Sequence, residues 1–89
     1  MKIQEGFVMR EVAGQYVVIA IGEASKTFHG MIKLNSTGKD IWEGLQRGLD
    51  AQGIAAFLKD KYQVDEQQVE VDVQEFLQQM KEVGILADE

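Results

Sequence analysis

Along this 89-residue chain the spacing of apolar positions changes once, near residue 35. Before that point apolar residues recur about every second position; after it they recur every third or fourth. Phe7–Ala13 and Tyr16–Ile21 are rich in β-branched residues and predict two strands, with Gly14-Gln15 as the tight reversal between them. Gly22–Ser25 predicts a second turn, and Thr27–Leu34 a third strand. In that strand Phe28, Ile32 and Leu34 fall on one face with Gly30 between them, and His29, Met31 and Lys33 fall on the other. Short connections imply an antiparallel meander whose first and third strands are its edges.

The remainder predicts three helices. Asn35, Ser36 and Thr37 are alternative N-caps for the first, in which Ile41, Trp42 and Leu45 share a face and Gly48 marks the end. Trp42 is expected in the core, anchoring this helix. Asp50 caps a second helix carrying Ile54, Phe57, Leu58 and Tyr62 at helical spacing. Asp65 starts the third, with Gln68 as a variant capping-box partner. Its apolar stripe is Val69, Val73, Phe76, Leu77, Met80 and Val83. Gly84 is placed to close it in a left-handed cap that returns Ile85 onto Met80. The expectation is a single α+β domain over residues 1–89, a three-stranded antiparallel sheet followed by three helices.

Composition narrows the chemistry. The chain has no cysteine and one histidine, so cysteine nucleophiles, disulfides and His-cluster metal sites are excluded and no metal or cofactor is expected. His29 has no partner carboxylate at suggestive spacing, and the glycines fit no phosphate-binding motif. Asp65, Glu66, Glu70 and Asp72 lack the glycine and spacing of an EF-hand loop, and fit a helix start and a solvated face better. An enzyme is therefore not expected. No apolar run approaches the ~20 residues that span a bilayer, and the N-terminus has no signal-like core, so a cytoplasmic protein without a membrane partner is expected. From Val64 to Glu89 eight acids face a single base, Lys81, while the rest of the chain is near neutral. Three helices beside a small sheet also suit winged-helix DNA binders. A last helix with five acids and one lysine repels phosphate, however, and argues against nucleic acid.

Geometry then points to the strand edge. An unpaired edge exposes a row of N–H and C=O groups that proteins either blunt or use. With the third helix alongside, the third strand forms one wall of a groove in which an extended peptide adds as a further strand. On the third helix Asp72, Phe76 and Gln79 line one flank of the apolar stripe, with Glu75 further out; Glu66, Glu70 and Lys81 line the other. Periodicity does not decide which flank meets the strand; the groove assigned here uses the Asp72 flank.

Gly22 followed by a strand ending Leu34-NSTGKDIW-Trp42, then Gly48, then Tyr62-QVDEQQVEVDVQEFLQQMKEVGIL-Leu86, resembles the PqqD family over nearly the whole chain. That family is named for the pyrroloquinoline quinone pathway and includes recognition domains for ribosomally made, modified peptides. The resemblance implies a winged-helix-like fold that binds the leader of a precursor peptide. It also implies presentation of that leader to a modifying enzyme, commonly a radical SAM protein. Carried onto this chain, it makes Met31, Ile32, Lys33 and Leu34 the strand wall, and Asp72, Phe76 and Gln79 part of the helix wall. A winged-helix regulatory domain and a structural or dimerising subunit are the alternatives; a basic face would mark the first and a measured size the second.

Overall fold

The computed structural model describes residues 2–87. Its elements run β1 (Lys2–Ile3), β2 (Phe7–Val12), β3 (Gln15–Ala20), a 3-10 turn (Gly22–Lys26), β4 (Met31–Leu34), α1 (Ser36–Gln46), α2 (Ala51–Tyr62), α3 (Glu66–Glu82) and β5 (Leu86–Ala87). The α+β order expected from the apolar spacing is the order observed, with β2, β3 and β4 as the three-stranded meander.

The β2–β3 reversal sits one residue earlier than predicted. Val12 pairs with Gln15, so Ala13 and Gly14 form a two-residue turn with both φ angles positive, at 52° and 81°. That geometry matches the right-handed twist of the flanking strands, and Gly14 makes half of it free of strain. The third predicted strand is shortened. Residues 22–26 wind into a 3-10 turn, and β4 begins only at Met31, leaving Phe28 and His29 in the connection. Phe28 still turns inward, packing edge-on against Phe7 with ring centroids 5.4 Å apart.

The helix ends follow their capping chemistry. Of the three candidate N-caps it is Asn35 whose side chain accepts from Gly38 N–H, at 2.8 Å. Asp50 does the same for Gly53. At α3 the expected reciprocal box does not form. Asp65 accepts from Gln67 N–H, and Gln68 reaches forward to Asp72 at 2.9 Å instead of back to Asp65. Gly84, with φ +84°, ends α3 in a Schellman motif: Ile85 N–H donates to Met80 C=O and Gly84 N–H to Lys81 C=O. This return buries Ile85 completely and aims the chain at β1. There Leu86 pairs with Ile3 and Ala87 with Lys2, a two-stranded sheet that the sequence did not predict.

One face of the meander, led by Val18 and Leu34, packs on Ile41, Trp42 and Leu45 of α1, Ile54 and Leu58 of α2, and Val69, Val73, Leu77 and Met80 of α3. Trp42 is fully buried. Val83, expected in the stripe, is 42% exposed because the cap turns away beneath it. Gly44 lets α1 and α2 approach closely: a Cβ there would stand 2.9 Å from Ile54 Cγ1. The buried carboxylate of Asp40 ties the same helices. It accepts from the Lys61 ammonium through both oxygens, at 3.0 and 3.1 Å, and from the Tyr62 hydroxyl. Tyr62 therefore serves as a polar clasp and leaves its ring partly exposed, where the helical spacing suggested an apolar position. Among the described residues no helix is long and apolar enough to cross a membrane.

Candidate functional site

Sheet order β2-β3-β4 leaves β4 paired on one side only, through Tyr16–Leu34, Val17–Lys33, Val18–Ile32 and Ile19–Met31. Backbone groups of an antiparallel strand point alternately to its two sides, so two of these four β4 residues direct both N–H and C=O outward. The side chains alternate across the sheet. Met31 and Lys33 are exposed on the outer face, whereas Ile32 and Leu34 turn toward the helices. Leu34 is only 9% exposed and belongs to the core, so within the predicted strand wall it has backbone rather than side-chain surface to give.

The strand stops at Leu34 because Asn35 caps α1, and Gly38 in the first turn closes the corner. A Cβ on Gly38 would lie 3.2 Å from Phe76 Cε2, 3.3 Å from Asn35 Oδ1 and 3.4 Å from Leu34 Cβ. The end of β4, the start of α1 and the Phe76 ring therefore converge on one small residue. Beside this corner opens a groove of about 280 Å³, walled by Asn35, Thr37 and Gly38 of the junction and by Asp72, Glu75, Phe76 and Gln79 of α3. The three helix residues singled out from the sequence are thus brought together on the flank that faces the end of β4. Glu75, expected further out, also lines the groove, as do Thr37 and Gly38. Asn35 and Thr37 were visible in the sequence only as rival caps, and Gly38 carried no signal of its own.

A larger groove, of about 1020 Å³, runs between α2 and α3 over Ala51, Ala55 and Val73. It lies on the opposite flank of α3, with Glu66 and Glu70, and touches neither β4 nor any predicted site residue. Size favours it, but it lies away from the end of β4. No β4 residue lines the smaller groove either, but that groove opens at the Gly38 corner, where the strand ends beside the Phe76 ring, and it is the candidate site.

Its electrostatics are acidic on the helix side. Asp72 and Glu75 line the groove and no basic side chain does. Asp40, the one fully buried charged residue among the described residues, is engaged by Lys61 and Tyr62 and faces elsewhere. Those hydrogen bonds hold the Lys61 ammonium and the Tyr62 hydroxyl above their ordinary pKa values, and the carboxylate charge adds to both shifts. His29 is exposed in the connection before β4, away from the groove lining. No three or more His, Cys, Asp or Glu side chains among the described residues are grouped to hold a metal ion.

Two solved structures share the fold. One is TbiB1 in complex with the TbiA(beta) leader peptide, with a TM-score of 0.81 and 24% identity over 100% of this chain and 98% of that one. The other is a lasso peptide synthetase B1 complexed with the leader peptide, with a TM-score of 0.76 and 20% identity over 94% of this chain and 93% of that one. No curated protein sequence matches the chain significantly. The family model described as coenzyme PQQ synthesis protein D (PqqD) matches residues 8–86, and the chain therefore belongs to the PqqD family.

Proposed function

We propose that this protein is a non-catalytic recognition domain for the leader of a ribosomally made precursor peptide. The leader adds as a strand to the free edge of β4, lies against the Asp72 flank of α3, and is held there for a peptide-modifying enzyme such as a radical SAM protein. The observation that carries this reading is an unpaired strand edge that ends at the corner beside a groove walled by a helix, in a fold shared with two proteins solved with leader peptides bound. Met31, Ile32, Lys33 and Leu34 supply the edge, and Asp72, Phe76 and Gln79 the helix wall.

Magnitudes set the division of labour. Two outward-facing residues offer four backbone hydrogen bonds, each worth about 1 kcal/mol net. About 4 kcal/mol corresponds to millimolar affinity, so micromolar binding requires apolar side chains of the leader to be buried beside Phe76 and Ile32.

Calorimetric titration with leader segments of short precursor peptides encoded near the gene tests the proposal, alone and with the neighbouring modifying enzyme present. One-to-one binding near micromolar with a negative heat-capacity change is expected. Amide exchange should slow at β4 on binding, and a folded Ile32→Pro variant should not bind, because proline breaks the strand pairing. Tight binding by that variant would remove strand addition. Failure of every leader, with or without enzyme, would overturn the reading. Self-association through the free β4 edge is the competing use of the same feature, and a sedimentation measurement showing a stable dimer that excludes peptide would favour it.

A further inference from the structure

Backbone hydrogen bonds hold any extended sequence equally, so selectivity must come from the side chains that an added strand places beside the groove. Those side chains alternate between two faces, and each shares the face of the β4 residue it stands opposite. The two faces next to β4 carry opposite charge. On the outer face Lys33 is exposed, and its ammonium has no ion-pair partner among the described residues. On the inner face the strand ends at Leu34, whose Cβ borders the same glycine as the Phe76 ring. Just beyond lie Asp72 and Glu75, with Gln79 and no base. Asp72 takes one hydrogen bond, from Gln68, and the Glu75 carboxylate takes none from the described residues. The start of α1 opposes them with only about half a positive charge, and its Gly38 N–H is already taken by Asn35. Lys39 also lies on the inner side, over the ring of Tyr16, the partner of Leu34, but it pairs with Glu43 at 3.5 Å, so the groove side stays negative while the outer side is positive.

We propose that the groove reads a charge pattern of period two: a lysine or arginine pointing inward opposite the Leu34 end of β4, and an aspartate or glutamate pointing outward beside Lys33, at adjacent positions of the peptide. This rests on the strand addition proposed above and adds its specificity. The inward base lays its alkyl stem along the Phe76 ring and brings its charge to Asp72 and Glu75. The outward acid meets Lys33 across the new strand pair. Exchanging the two residues sets like charges together on both faces, so the device selects by repulsion as well as by attraction. It also fixes register, because a one-residue slip sends each charge to the wrong face.

Random peptides of about twelve residues, displayed on phage and selected on the intact protein, test this. The enriched pool should carry a base directly beside an acid. The best peptide, made synthetically, should lose about tenfold in affinity to the Asp72→Asn, Glu75→Gln protein, whose changes are at exposed positions and leave the fold intact. It should lose at least as much when its own base and acid are exchanged. That exchange keeps composition and net charge, so a merely acidic surface attracting a basic peptide would not respond to it. Indifference to the exchange, or a pool without the charged pair, overturns the pattern. If β4 amides are still protected by that peptide, strand addition survives its loss. A selection that enriches no peptide overturns both.

Discussion

Replacing Trp42 separates two contributions that a buried indole combines. The side chain is 0% exposed, at the centre of the cluster that joins α1 to α2, α3 and the sheet. Its Nε1 is buried with no hydrogen-bond partner among the described residues. Trp42→Ala removes the whole ring and should cost about 3–5 kcal/mol. A chain of 89 residues at about 0.05–0.15 kcal/mol per residue holds roughly 4–13 kcal/mol, so this loss is at least roughly a fifth of the stability. At about 4–8 °C per kcal/mol, the melting temperature falls by at least ~12 °C. Trp42→Phe is different. It gives up part of the packing, about 1–2 kcal/mol, but it also removes an unpaired buried N–H, whose burial costs about 1–3 kcal/mol. The two offset each other, so the melting temperature should fall by no more than roughly 8 °C. Urea and thermal unfolding of both variants provide the assay. If Phe costs as much as Ala, the indole N–H has a partner such as a bound water, and the reasoning about the unpaired donor fails. Peptide binding should survive Trp42→Phe, because the ring anchors α1 beneath the groove without lining it.

Other expectations concern the corner, the cap and the clasp. Gly38→Ala gains up to about 1 kcal/mol of helix propensity but places a methyl 3.2–3.4 Å from Phe76, Asn35 and Leu34. Stability should change by less than about 1 kcal/mol, while Phe76 is pushed toward the groove and peptide affinity falls several-fold; unchanged affinity would detach this corner from the site. Asn35→Ala removes the cap of α1 and should cost about 1 kcal/mol in urea unfolding; no measurable loss would mean that water satisfies the Gly38 N–H equally well. Asp40→Asn should cost about 1–3 kcal/mol, since Lys61 and Tyr62 are exposed enough to recover water. Lys61 and Tyr62 hold their protons more tightly in the folded than in the unfolded chain. Their stabilisation is thus complete below about pH 10 and lost as pH rises through the folded values. Stability should be level from pH 7 to 9 and fall above about 10, and more shallowly in Asp40→Asn; an equally steep fall in the variant would put its cause elsewhere.

What was legible in the sequence is what local chemistry controls. Period-two and period-3.6 spacing located the meander and the three helices, because each element must bury one face and that need is written in successive residues. Asp50 and Gly84 were readable as caps because a helix end has few chemical solutions. The inward set Ile32 and Leu34 and the outward set Met31 and Lys33 followed from strand alternation alone. The charge asymmetry that disfavours nucleic acid needed no coordinates at all.

What tertiary structure decided was everything that joins distant residues. Lys2–Ile3 and Leu86–Ala87 are too short for periodicity to register, and they become strands only because the Gly84 cap delivers one chain end to the other. Asp40 looks like any surface acid until α2 brings Lys61 and Tyr62 onto it across a separation of 21 and 22 residues. The helical spacing of α3 offered two flanks of equal standing. Only the packing of α1 beneath β4, made close by Gly38, turned the flank of Asp72, Phe76 and Gln79 toward the strand end. A sequence determines which face of an element is apolar. The rotation and placement of that element depend on the side chains it meets, and a groove between elements exists only once they have met.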